Sequence, residues 1–156
     1  MTAKPDWGIE SITCYDGRDH LVEINKKITG AFGDLIHFNV LGREPAPRKI
    51  LLVAPMSGHY STLLRSTVNS LIIDSEIYVT DWHNARDIPV SEGSFDIEDY
   101  TKYLIDYIRF LGPDINVIAI CQPAPLALVA TAFLAQEKKD DQPKSLIPVS
   151  YTHLTL

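Results

Sequence analysis

The sequence predicts an α/β fold, in which an antiparallel lead-in is followed by a parallel sheet with helices over both faces. Three observations carry this expectation. Asp16-Gly17 separates two extended stretches, as a hairpin turn does. From Lys49 onward, short apolar runs without polar alternation read as strands covered on both sides. Each of these runs is followed by a segment whose apolar residues fall at helical spacing.

In order along the chain, Ile9 to Tyr15 and His20 to Asn25 form the hairpin, with Gly17 free to take a positive φ at the turn. Asp34 to Leu41 is a third extended piece, ended by Gly42 and the Pro45-Ala46-Pro47 connection. Lys49 to Ala54 is the first continuous apolar strand, and Pro55 to His59 is the turn after it. Ser61 to Ile73 places Leu63, Leu64, Val68, Leu71 and Ile72 on one helical face. Glu76 to Trp82 is rich in strand formers. Asp96 then caps a helix whose first turn holds Glu98 and Asp99. Tyr100, Leu104, Tyr107, Ile108 and Leu111 line its core side, and Gly112-Pro113 ends it. The run Asn116 to Ile120 is the last strand expected, and a helix from Pro123 to Gln136 follows.

At 156 residues the chain fits one domain. A net charge of −6 offers no broad basic field for phosphates, which argues against nucleic-acid binding. No apolar run reaches the length of about 18 to 20 residues that spans a bilayer, so no transmembrane segment is expected. Met1 to Trp7 does not read as a secretion signal. The two cysteines, Cys14 and Cys121, have no metal-ligand spacing, and neither a metal nor a cofactor is implied. A reducing, cytoplasmic setting is the default for such a chain. Cys14, inside the hairpin, reads as structural, and His20, His37 and His83 are too scattered to form a site.

The residue that stands out is Cys121. It sits where the strand Asn116 to Ile120 meets a proline-led helix start, Gln122-Pro123-Ala124-Pro125. A nucleophile at such a joint lies beyond the carboxyl end of a central strand, where parallel sheets bind ligands. The N–H of the following residue, Gln122, is then available to an oxyanion. A lone buried cysteine packs as a small hydrophobe; its position at the joint, together with the stretches below, favours a reactive role.

Four stretches extend this reading: Leu52 to Tyr60 (LVAPMSGHY), Tyr78 to Trp82 (YVTDW), Val90 to Asp96 (VSEGSFD) and Val117 to Pro123 (VIAICQP). In this order they resemble the intracellular polyhydroxyalkanoate depolymerases of the α/β-hydrolase superfamily, over most of residues 8–147. The resemblance implies hydrolysis of ester bonds in poly(3-hydroxyalkanoate), chiefly poly(3-hydroxybutyrate), at the surface of cytoplasmic storage granules. It implies that Cys121 is the nucleophile and that Gln122 and Met56 supply oxyanion N–H groups. Ser57, His59, Asp81 and Trp82 would lie near the site, His59 as a donor or as a loop brace, Asp81 and Trp82 more as braces than as catalysts. The Gly-x-Ser-x-Gly elbow of related hydrolases is altered at Ala119, Cys121 and Pro123.

In this superfamily the catalytic acid and base follow the nucleophile in the chain. Asp140, Asp141 and His153 are the only residues of those types after Cys121, and none follows a further predicted strand. The expectation is therefore the amino-terminal portion of one such domain, residues 1–147, cut after the nucleophile strand and its helix. Residues 148–156 depart from the family pattern, and His153 is read as incidental. Such a fragment is expected to be unstable and inactive by itself, with the acid and base lying beyond residue 156. Two other readings remain: a polyhydroxyalkanoate synthase-like acyltransferase, poorly matched by Ala119 and Pro123, and a noncatalytic granule-binding module. Oligomeric state is not legible.

Overall fold

A computed structural model describes residues 3–56, 60–137 and 140–149. The hairpin forms as β1 (Ser11–Thr13) and β2 (Asp19–Thr29), joined by a turn in which Gly17, at φ 73°, donates its N–H to the Cys14 carbonyl. β2 pairs antiparallel with β3 (Gly33–Val40), and the register slips between Lys26 and Ile28. β4 (Arg48–Val53) and β5 (Ser75–Trp82) are parallel to each other, while β3 runs antiparallel to β5. β6 (Ile115–Ile120) pairs parallel with the other side of β4. The sheet order is β1-β2-β3-β5-β4-β6-β7.

The helix expected over 61–73 is split. Ser61–Leu64 is a 3-10 turn, and only Arg65–Leu71, α1, is α-helical. No side chain caps either start, so the tight turn satisfies the first amides instead. Its narrower winding leaves Leu63 exposed, while Leu64, Val68 and Ile72 are buried as the spacing required. α2 (Ile97–Leu111) follows its pattern closely. Asp96 accepts from Glu98 and Asp99 N–H, Asp99 returns a bond to the Asp96 N–H, and Tyr100, Leu104, Tyr107, Ile108 and Leu111 are all buried. α3 (Ala124–Gln136) buries Ala124, Ala127, Ala130 and Leu134.

The crossover β4-α1-β5 moves to one side of β4, and β5-α2-β6 returns past β4 to the other. Right-handed crossovers then place α1 on one face of the sheet and α2 with α3 on the opposite face. The strand order thus reverses direction at β4, and the crevice of such a reversal opens at the carboxyl ends of β4 and β6.

One strand was not foreseen. Ser145–Val149 forms β7, parallel to β6, with Ala119 opposite Pro148 and Ile120 opposite Val149. The sheet therefore continues one strand beyond β6, which is internal. Pro148 hides β7 in the sequence, because proline weakens a strand pattern; it is tolerated here because β7 is an edge strand among the described residues. The exposed edge carries Ile147 and Val149.

Removing the α2 cap isolates one local contribution. Asp96→Ala should destabilise the fold by about 1 kcal/mol, read as a lower urea midpoint at unchanged slope.

Candidate active site

Cys121 follows β6 directly. It is exposed, and it is the only non-glycine residue with positive φ among the described residues, at 64°. An L-residue in this left-handed region costs about 1–2 kcal/mol, so the neighbouring structure must impose it. Two backbone bonds do so. The Cys121 N–H donates to the Val149 carbonyl of β7 at 3.0 Å, and the Ala124 N–H donates to the Cys121 carbonyl at 3.0 Å. Pro123, at φ −76°, leads into α3 without strain. Ala119 and Ala124 are fully or nearly fully buried beside the turn, where larger side chains would have no room.

α3 carries no acidic residue in its first turn. The Cys121 sulfur is thus presented to solvent, on a strained turn, at the start of a helix and at the reversal of strand order.

Across the crevice, the turn after β4 is held by three bonds to Ala54. Its N–H donates to Thr80 Oγ1 at 3.0 Å, and its carbonyl accepts from Trp82 Nε1 at 2.9 Å and Tyr100 Oη at 3.1 Å. The Met56 N–H donates to Gln122 Oε1 at 3.1 Å, so the turn and the elbow touch. Asp81 is buried; it accepts from Ser61 Oγ at 2.6 Å and pairs with Lys4, tying the start of the 3-10 turn and the N-terminal segment to β5. Trp82 is also buried, packed at tilted angles among Phe95, Tyr100 and Tyr103. Gly33 admits this ring, since a Cβ there would lie 2.6 Å from Trp82 Cε3. Ser57 and His59 lie outside the described residues.

Beside this region a cleft of about 820 Å³ is lined by Lys4, Gly30, Tyr60, Trp82, His83 and Glu92, among others. Beneath it, Asp34 stands opposite Asp81 across the β3–β5 pair and is 1% exposed. Burial works against its charge, but hydrogen bonds from Lys26 and His83 outweigh it and hold the carboxyl below its ordinary range. Lys26 Nζ is 2.6 Å from Asp34 and His83 Nε2 is 3.1 Å away. This cluster was not found in the sequence, because Lys26, Asp34 and His83 come from three distant places and share no spacing.

Asp141 lies at the other edge of the sheet. It follows α3, near Arg109, and the chain enters β7 with Lys144 N–H donating to the carbonyl of Ile115, the first residue of β6. Asp140 and Asp141 therefore precede β7 at the amino edge, whereas Cys121 occupies the carboxyl edge. Neither can partner it. His153 lies outside the described residues. Among those residues, no group of three His, Cys, Asp or Glu side chains is placed to hold a metal ion, and no helix is long and apolar enough to cross a membrane.

A strained, exposed residue between strand and helix, at the reversal of a mixed sheet, is the geometry of a nucleophile elbow. Solved structures share this fold. The Vlm2 thioesterase domain superposes with a TM-score of 0.56 at 17% identity, covering 75% of this chain and 48% of its own. An esterase from the fungus Rhizomucor miehei gives 0.56 at 13% identity, over 89% and 47%. The chain has an α/β-hydrolase fold. Brefeldin A esterase, described as a bacterial homologue of human hormone-sensitive lipase, gives 0.50 at 14% identity, over 97% of this chain and 46% of its own. The chain thus spans about half the length of these structures. No family model and no curated protein matches the sequence.

Two measurements probe the site's mechanics. Because only glycine takes the left-handed region freely, Cys121→Gly should be more stable than Cys121→Ala by about 1–2 kcal/mol in urea unfolding; equal stabilities would remove the strain. Asp34 has its folded pKa below the ordinary 3.8, so its stabilisation is complete above that value and lost as pH falls through the lower one. Asp34→Asn should flatten the acid limb of stability below about pH 4, seen as a reduced difference in urea midpoint between pH 5 and pH 2.5.

Proposed function

We propose that this α/β-hydrolase domain serves ester hydrolysis with Cys121 as nucleophile, its substrate being poly(3-hydroxyalkanoate) such as poly(3-hydroxybutyrate) on cytoplasmic granules. The observation that carries the reading is the left-handed, exposed Cys121 between β6 and α3. The four stretches resembling intracellular depolymerases support the substrate, and Cys121 in place of serine belongs to the same resemblance.

The Cys121 thiolate attacks the ester carbonyl carbon, and the carbonyl electron pair moves onto oxygen. The Gln122 and Met56 N–H groups are the donors this scheme assigns to that charge; one such donor is commonly worth about 3 kcal/mol of barrier. Collapse of the tetrahedral intermediate expels the alcohol end of the polymer, which takes up a proton, and leaves a thioester at Cys121. Water then releases the 3-hydroxyacid and regenerates the thiol. A histidine base held by an acid belongs to this scheme.

The test is release of 3-hydroxyacid from amorphous poly(3-hydroxybutyrate) granules by the full-length protein. Cys121→Ala should lower the rate by about a thousandfold or more. Equal rates would remove the nucleophile. Polymer formation from a hydroxyacyl-CoA would favour a synthase instead, and granule co-sedimentation without hydrolysis, unchanged by Cys121→Ala, would favour a binding module.

A further inference from the structure

The Gln122 side chain has a place in this geometry beyond its backbone N–H. Val53 is paired with Ala119, so two residues further on the turn after β4 runs level with Cys121 and Gln122, on strands about 4.8 Å apart. Across this gap the Gln122 amide oxygen accepts the Met56 N–H at 3.1 Å. An N–H carries a single hydrogen, and this one is already directed at a carbonyl oxygen belonging to the residue beside the nucleophile.

Resting on the reading of Cys121 as nucleophile, we infer that the Gln122 carboxamide is a placeholder in the oxyanion hole: its oxygen holds the Met56 N–H until the tetrahedral intermediate displaces it. A ground-state ester carbonyl is a neutral acceptor, like the amide oxygen it would have to replace, and gains little by the exchange. The tetrahedral oxygen is anionic, and charge-assisted hydrogen bonds are roughly twice as strong as neutral ones. The exchange therefore runs forward only as charge develops. Gln122 thereby withholds the Met56 donor from bound substrate and yields it only as charge develops, at a cost in affinity. Gln122 is exposed, so its amide oxygen has solvent beside it when displaced.

The variant to make is Gln122→Met, which keeps the length and removes the amide acceptor. An aliphatic trifluoromethyl ketone is the probe: the Cys121 thiolate adds to its carbonyl carbon, the carbonyl pair becomes an oxyanion, and the thiol proton is released to solvent. Hydrogen exchange of the Met56 amide in the unliganded protein should be at least about tenfold faster in Gln122→Met than in the parent. The ketone should bind the variant about three- to tenfold more tightly, because no side chain has to be displaced. In the full-length protein, kcat/KM for a 3-hydroxybutyrate oligomer should rise by a similar factor. Binding that is unchanged or weaker in Gln122→Met, or Met56 exchange that does not respond, overturns the placeholder while leaving the nucleophile in place. A ketone that forms no adduct at Cys121 in either protein instead overturns the reading of Cys121 itself.

Discussion

The left-handed backbone of Cys121 is the constraint on which the account depends. A φ of 64° in an L-residue is unfavourable alone, and the surrounding elements supply the compensation. β6 is fixed on both sides, by β4 and by β7, so the strand cannot drift to relax the turn. The Cys121 N–H is held by the Val149 carbonyl, and the start of α3 is bound back to the Cys121 carbonyl. The altered elbow becomes intelligible in these terms. Ala119, fully buried, is small enough for the packed side of the turn, and Pro123 needs only the helical φ that proline already prefers.

The opposite wall of the crevice is held by different means. Ala54 is the convergence point, with bonds from a threonine, a tryptophan and a tyrosine on β5 and α2. Trp82 thus braces the turn that carries Met56, and Asp81 braces the segment that follows it through Ser61. Two buried carboxylates, Asp34 and Asp81, stand side by side across β3 and β5, an arrangement that would repel without Lys4, Lys26 and His83 around it. These contacts tie the two buried carboxylates to Lys4 and His83, which line the cleft.

Much of this fold was legible in the sequence, and the reasons are local. β4, β5 and β6 are continuous apolar runs because they are covered on both faces. α2 announces itself through Asp96, Asp99 and a five-residue buried stripe. The Cys121 joint was legible because an apolar strand and a proline-led helix start meet there without a loop. What escaped the sequence depends on tertiary context. β7 is masked by Pro148 and exists by pairing with β6. The 3-10 turn at Ser61 arises from the absence of a cap. The Asp34 cluster needs the β3–β5 register, and the Gln122–Met56 bond joins residues 66 apart in the chain.

The central claim is that the Cys121 sulfur bonds covalently to an ester's acyl carbon. Its most direct test is mass spectrometry of the protein after brief exposure to an activated 3-hydroxybutyryl ester, with quenching in acid to preserve thioesters. The account predicts one acyl group, hydroxylamine-labile and located on the peptide containing Cys121, with Cys14 unmodified in its buried position. Acylation confined to other residues, or none under conditions where the ester is consumed by the protein, would contradict it.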